Sequence, residues 1–124
     1  MKLSDKEFDR IVRKAIHRIP VEIRRHLDNI LISVRKRPSR GMLEEMGLAD
    51  DASLLGLYQG VALTDRFITD PALYPDTIFL FQEPLVQSCE TVEELEQQIE
   101  ITVVHEVGHA LGISEERLEE LGYG

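Results

Sequence analysis

Hydrophobic positions recur with a helical period near the start of the chain. Apolar side chains return every three or four residues from Phe8 to Ile19, and Pro20 ends the pattern. Just before this run, Ser4 and Glu7 have the spacing of a capping box, in which each side chain accepts a hydrogen bond from the backbone N–H of the other residue. The pattern therefore predicts an N-terminal helix with one face buried against the rest of the protein.

A second helical pattern covers residues 91–112, near the other end of the chain. Thr91 and Glu94 have capping-box spacing at its start, and Gly112 at its end can adopt the left-handed conformation that terminates many helices. Its apolar residues are Val92, Leu95, Ile99, Val103, Val104 and Leu111. Their spacing predicts a long helix that lies against the core along one face.

Between the two helical patterns the chain changes to short apolar runs that are typical of strands. The predicted strands are residues 30–35, 54–58 and 77–82. A short helix over residues 21–27 precedes the first strand, a break follows it at residues 38–41, and residues 42–51 are predicted to be loop with a little helix. Helices at both ends and a small sheet between them predict an α+β fold, built as a single domain over residues 1–124.

The composition is that of a soluble globular protein. Hydrophobic residues make up 43% of the chain and charged residues 30%, and no apolar run is long enough to span a membrane. The N-terminus lacks the apolar core of a signal peptide, and the only cysteine, Cys89, has no partner for an internal disulfide. We therefore expect a cytoplasmic protein with no membrane partner.

Charge is divided unevenly along the chain. Residues 1–40 contain twelve of the fourteen basic residues against five acids, while the remainder contains two bases and eighteen acids. This division predicts that the two parts attract one another in the fold. A short basic cluster contains Arg35, Lys36, Arg37 and Arg40. Because the cluster has no interleaved aromatic residues and the whole chain has a net charge of −9, we do not expect a nucleic-acid partner.

The long C-terminal helix carries the most informative motif, His105-Glu106-Val107-Gly108-His109, which is an HExxH sequence. A helix advances about 100° per residue, so His105 and His109 project from one face about one turn apart and can bind a single metal ion. The buried face of the helix should hold both histidines in place. Glu106 stands beside them as a candidate general base, which would take a proton from water and pass it to a departing amine. Two imidazoles, joined by a carboxylate as third ligand, favour one Zn²⁺ ion per chain.

The motif continues into a longer recognisable sequence. The relevant segments are HEVGHALGISEE at residues 105–116, RLEELG at 117–122, LLGLYQGVALTDR at 54–66 and DTIFLFQEPL at 76–85. Together they resemble the small bacterial zincin-like metallopeptidases. The resemblance implies a minimal zincin-like metalloprotease fold, in which a small twisted mixed sheet packs with the N-terminal helix and the HExxH helix, and a short C-terminal helix follows. It also implies an edge strand that pairs with extended substrate. Residues 77–82 are the candidate for this edge strand, and the alternative is that they form an ordinary core strand.

A third metal ligand is expected after the HExxH helix. Fifteen residues follow His109, and they contain no histidine or methionine. The carboxylates there belong to Glu115, Glu116, Glu119 and Glu120. The resemblance favours Glu115, because the family commonly has an aspartate in that position, and Glu119 is the alternative. Glu115 would also suit the first turn of a helix capped by Ser114, where an acid is favoured without any metal.

The motif and the resemblance together predict a zinc-dependent metallopeptidase that hydrolyses peptides or unfolded protein. The predicted metal ligands are His105, His109 and Glu115, and the predicted catalytic base is Glu106. Tyr123 or Tyr74 could donate to the oxyanion, although packing is the role we expect of each. The alternative function is a metal-binding regulatory or protein-interaction module with little or no proteolytic turnover, in which the basic cluster is the partner surface.

Overall fold

The computed structural model describes residues 1–48, 54–60 and 76–123, and the elements in these ranges form an α+β fold. In chain order they are α1 (Asp5–Arg18), α2 (Val21–Arg24), β1 (Leu31–Arg35), α3 (Arg40–Glu45), β2 (Gly56–Gln59), β3 (Thr77–Phe81), α4 (Gln82–Gln87), α5 (Val92–Ala110) and α6 (Glu115–Glu120), with a 3-10 turn at Arg25–Leu27. None of these helices is long and apolar enough to cross a membrane. The predicted fold class is confirmed.

The two long helices begin at the predicted capping residues. Ser4 and Glu7 form a complete capping box, with the Glu7 N–H donating to Ser4 Oγ at 3.1 Å and the Ser4 N–H donating to Glu7 Oε1 at 3.2 Å. At the start of α5, the Glu94 N–H donates to Thr91 Oγ1 at 3.1 Å, but the Glu94 carboxylate accepts from the N–H of Glu90 at 2.9 Å. The second half of that box is therefore displaced by one residue.

The sheet has the strand order β1-β3-β2, with β3 in the centre. β1 pairs with β3 in parallel, and β2 pairs with β3 antiparallel. The prediction that residues 77–82 form an edge strand is therefore wrong, and the alternative of a core strand is correct. The apolar run in β3 has a different cause, because Ile78 and Leu80 pack into one cluster and Phe79 and Phe81 pack into another. A strand that is covered on both faces needs apolar residues at every position.

Two short helices also differ from the predicted pattern. Helix α4 begins at Gln82, which the sequence placed in the third strand. Pro84 lies in its first turn, where a helix makes no internal bond to the N–H that proline lacks. Helix α3 begins at Arg40, inside the predicted break. It can begin there because Ser39 caps it, accepting a hydrogen bond from the Met42 N–H at 3.1 Å.

The main core lies between α1, α5 and one face of the sheet. Four residues of the predicted apolar face of α5 are buried, namely Leu95, Ile99, Val103 and Val104. Val92 and Leu111, at the two ends of that face, are instead 41% and 48% exposed. The prediction of a buried face is correct for the middle of α5 only, because the helix extends beyond the elements that cover it.

Ion pairs join the basic N-terminal part of the chain to the acidic remainder. Arg37 Nη2 lies 3.4 Å from Glu83 Oε1, and Arg18 Nε lies 3.1 Å from Glu100 Oε1. The predicted attraction between the two parts is therefore present in the fold. Arg37, a member of the basic cluster, takes part in it.

Candidate metal centre

The HExxH residues occupy the last two turns of α5. The imidazole rings of His105 and His109 have centroids 6.0 Å apart and meet edge to face. His105 is half-buried, but the His109 side chain is 54% exposed. The expectation that the core holds both histidines is thus correct for His105 and wrong for His109, which lies near the uncovered end of the helix.

A tight turn at Gly112 directs the chain back beside α5. Gly112 has a φ of +76°, its N–H donates to the His109 carbonyl at 3.2 Å, and the Ile113 N–H donates to the Gly108 carbonyl at 2.8 Å. These two bonds form a Schellman motif, for which a left-handed residue is required. The turn therefore places the start of α6 next to the last turn of α5.

Helix α6 packs closely on α5 because of a glycine within the motif. A Cβ atom built on Gly108 would lie 3.0 and 3.2 Å from the two methyl carbons of Leu118, which is fully buried. Glycine at this position lets α6 approach without displacing Leu118. Ser114 caps α6 by accepting from the Arg117 N–H at 3.1 Å. The position of Glu115, the first residue of α6, is fixed by these contacts.

His105, His109 and Glu115 converge on one point. A ligand atom from each lies within 4.8 Å of the other two. His109 Nε2 lies 2.6 Å from Glu115 Oε1, and this hydrogen bond holds the pKa of Glu115 below its usual value. Within residues 1–48, 54–60 and 76–123, no other three potential ligand side chains are this close together. Glu119 lies outside this group.

The Glu106 carboxylate is held by the backbone of β2. The Tyr58 N–H donates to Glu106 Oε1 at 2.9 Å, and Glu106 Oε2 lies 3.9 Å from His109 Nδ1. Burial raises the pKa of Glu106 above its usual value, while the bond from Tyr58 and the two nearby histidines act in the opposite direction. Burial is the largest of these effects, so this carboxylate binds a proton more readily than an exposed glutamate does.

The contact between β2 and α5 depends on Gly56. A Cβ atom at this position would lie 2.6 Å from Thr102 Cγ2 on α5 and 3.1 Å from the Phe79 carbonyl oxygen. Only a residue without a side chain allows β2 to lie this close to the helix. The Tyr58 N–H, two residues further along the strand, reaches Glu106 as a result.

Tyr123 packs into the main core and bonds to a carboxylate of α5. Its side chain is buried, and the hydroxyl donates to Glu100 Oε2 at 2.8 Å. Burial, together with the bond to Glu100, raises the pKa of Tyr123 to about 12. The predicted packing role is thus the one the structure shows. Its main-chain carbonyl oxygen, however, contacts Nε2 of His105. Tyr74 lies outside the described residues.

Two groups at this centre are absent from the sequence prediction because they belong to the backbone. The N–H of Tyr58 and the carbonyl of Tyr123 carry no signal in residue type. A partial signal was available for Tyr123, since Gly122 follows a short helix in the same way that Gly112 follows α5. Such a glycine predicts a chain reversal, although not its target.

Comparison with known proteins connects this centre to a family. A family model described as zincin-like metallopeptidase matches residues 27–124. No curated protein matches the chain. A solved structure described as a conserved hypothetical protein from Thermo thermophilus is similar, with a TM-score of 0.56, 17% sequence identity, and coverage of 88% of this chain and 94% of that one. At this identity the likeness shows a shared fold alone. The family match covers both the sheet and the HExxH helix, and the chain belongs to the zincin-like metallopeptidases.

Proposed function

We propose that this protein is a zinc-dependent peptidase that cleaves peptides or unfolded protein, with Glu106 as the general base. One observation carries the proposal. The Glu106 carboxylate lies 3.9 Å from an imidazole of the group formed by His105, His109 and Glu115, and a backbone N–H fixes its orientation. Family membership supports metal-dependent peptide hydrolysis in general, and the Glu106 geometry supports this particular assignment.

The donor set of the group suits zinc. Catalytic zinc sites take three protein ligands from imidazole nitrogens and carboxylate oxygens and keep a fourth position open. His105, His109 and Glu115 offer two of the former and one of the latter, and they would hold the ion. When bound, zinc would polarise the substrate carbonyl and lower the pKa of water at the site.

Glu106 is arranged to accept a proton and to return it. The Tyr58 N–H engages Oε1, so Oε2 is the oxygen that we assign to proton transfer. It would take the proton of the attacking water and deliver it to the amine nitrogen as the peptide bond breaks. Because burial raises the pKa of Glu106, the carboxylate is a stronger base than an exposed glutamate.

The side of β2 that faces away from β3 is the side that meets Glu106. Leu55 O accepts from the Phe81 N–H at 3.0 Å, which fixes the alternation of the antiparallel pair. The backbone groups of Gly56 and Tyr58 therefore face away from β3, and the Tyr58 N–H meets Glu106 on that side. The alternation of β2 thus presents a main-chain donor to the proposed base.

Metal analysis and a paired catalytic variant test the proposal. Natively purified protein should contain one zinc ion per chain, and His105→Ala should lose it. Glu106→Gln should keep the zinc and lower kcat/KM on an unfolded-protein substrate by about 10²- to 10⁴-fold. Glu120→Gln is the matched control, since it removes an exposed acid of α6 that pairs with Arg117. It should leave both the zinc content and kcat/KM unchanged.

The same measurements separate the proposal from its alternative. If the protein binds zinc through His105 but shows no peptide hydrolysis that depends on Glu106, a metal-binding module would replace the peptidase as the proposed function. Zinc absent from the wild-type protein, even after it is supplied at neutral pH, would reject the metal centre itself.

A further inference from the structure

Strand β1 has an open edge. It pairs with β3 on one side, and no other strand in the described part of the chain lies on its other side. The Leu31 N–H donates to the Asp76 carbonyl at 2.8 Å, and the main-chain groups of successive residues in a strand face opposite sides. The N–H and carbonyl groups of Ile32 and Val34 therefore face away from β3. These groups can pair with an added strand.

A groove of about 530 Å³ lies between α1 and β1 and reaches this edge. Residues 32–34 of β1 all line it, although their side chains alternate between the two faces of the strand. Its apolar lining consists of Val12, Ile16, Ile32 and Val34. Asp9 and Arg13 of α1 also line the groove and have opposite charges, so they add little net charge. Apolar side chains of an added strand would therefore fit on this face of β1.

The opposite face of the same edge is basic. The guanidinium carbon of Arg35 lies 5.5 Å from the centre of the Phe79 ring, which belongs to the smaller apolar cluster of the sheet. The next two residues, Lys36 and Arg37, form ion pairs with acids of the chain itself. Arg35 is exposed and has no carboxylate partner among the described residues. A carboxylate of an added strand would supply that partner.

We propose that the open edge of β1 binds an extended acidic peptide segment as a further strand of the sheet. Side chains of a strand alternate between its faces, so apolar residues of the segment would fill the groove while acidic residues lie beside Arg35. A second copy of the chain is a poorer fit, because it would place the same cations on both sides of the new pair. The site is separate from the metal centre, since β3 lies between β1 and the strand that binds Glu106. The inference is therefore independent of the proposed function.

The test is an NMR titration with a capped Glu-Val-Glu-Val-Glu-Val-Glu peptide. The labelled protein carries Glu106→Gln, so that the proposed activity cannot consume the probe. Binding should shift the amide signals of Ile32 and Val34 and slow their exchange with solvent. Arg35→Gln should weaken binding by about 2- to 5-fold, the usual range for one exposed ion pair. The matched control is Arg117→Gln, which removes an exposed arginine of α6 and should leave the affinity unchanged.

N-methylation of the probe tests the main-chain pairing. Only alternate N–H groups of a strand face its neighbour, so methylating either the valines or the glutamates should weaken binding by more than about 10-fold in one form and spare the other. Equal binding of the two forms, whether kept or lost, would overturn the added strand. No binding, shifts confined to α5 and α6, or an equal loss in Arg35→Gln and Arg117→Gln would overturn it as well. A dimer in sedimentation that buries β1 would assign the edge to a second copy instead.

Discussion

Glu115 is the residue whose role depends most on the fold around it. Its side chain is 64% exposed, as expected for a surface acid in the first turn of a helix, yet it lies 2.6 Å from His109. Ser114 caps α6, and Glu115 stands in the first turn, where an acid is favoured without any metal. The turn at Gly112 and the close packing at Gly108 bring it beside His109.

We expect Glu115→Gln to weaken zinc binding, because the charged ligand itself is removed. Loss of a group that only orients a metal ligand weakens binding by about 10- to 100-fold, and the loss in Glu115→Gln should be larger. Chelator competition measures the change. Glu119→Gln is the matched control on the same helix, and it should bind zinc as the wild-type protein does. The opposite ranking of the two variants would return the third-ligand assignment to Glu119.

Asp5 forms an ion pair with Lys36, remote from the metal centre, and this pair can be tested by the pKa of Asp5. The Lys36 ammonium donates to Asp5 Oδ1 at 2.6 Å, and this bond, the charge of Lys36 and a bond from Gln82 lower the pKa of Asp5. A carboxylate whose pKa is lowered by folding stabilises the native state above its unfolded pKa. That stabilisation disappears as the pH falls through the folded pKa.

Lys36→Met should therefore raise the pKa of Asp5 toward its ordinary value of 3.8. The acid-side dependence of folding stability on pH should become shallower in that range. An NMR titration of the Asp5 carboxyl carbon reports the pKa directly, with Lys14→Met as a control that removes a lysine elsewhere on α1. An unchanged pKa in Lys36→Met would show that the ion pair does not form in solution.

At the scale of elements, the contact between β2 and α5 holds the carboxylate of Glu106, the proposed base. Gly56→Ala should lower the free energy of unfolding by about 1–3 kcal/mol, the usual cost of overpacking. The added methyl would meet Thr102 Cγ2, which lies 2.6 Å from that position. Because β2 would move away from α5, the variant should also lose activity as the Tyr58 bond to Glu106 lengthens.

A second substitution tests whether Thr102 is the side chain that a methyl group at position 56 would meet. Thr102→Ser removes the obstructing methyl but keeps the hydroxyl that donates to the Gln98 carbonyl at 2.8 Å. The double variant should therefore recover part of the stability and activity lost in Gly56→Ala, with the Phe79 carbonyl at 3.1 Å still opposing full recovery. Denaturant unfolding of the four proteins gives the coupling energy. Strictly additive effects would mean that Thr102 is not what Gly56 accommodates.

The elements that the sequence predicted well are those whose ends are set locally. Ser4 and Thr91 begin their helices because a cap involves residues only three positions away, and Gly112 ends α5 for the same reason. The order of the strands depends on contacts between distant segments. An apolar run such as that of β3 suits an edge strand or a core strand equally from its composition. Only the sheet shows that Phe79 and Ile78 face different clusters.

At the scale of the whole molecule, the candidate metal centre combines one predictable helix with three segments that had to be placed by folding. His105, Glu106 and His109 share a helix, so their spacing alone predicted their proximity. Glu115 followed from the family resemblance and not from spacing. The backbone contributions from β2 and from the turn after α6 became apparent only when those segments were packed on α5. Side-chain chemistry was therefore readable from the sequence, whereas backbone chemistry was not.

Zinc should stabilise the whole molecule, because it would join α6 to α5. A helix of six residues is too short to be stable alone, and α6 is held mainly by Leu118 and the turn that follows it. At free zinc of about 100 times Kd, the stabilisation is about 2.7 kcal/mol, which for a domain of this size raises the melting temperature by roughly 10 °C. Thermal unfolding with zinc and after chelation measures the difference, and slower amide exchange in α6 would locate it. His105→Ala should show no rise, whereas Glu119→Gln should show the full one. A rise that persists in His105→Ala would mean that zinc binds elsewhere on the protein and that α6 is not joined to α5 by the ion.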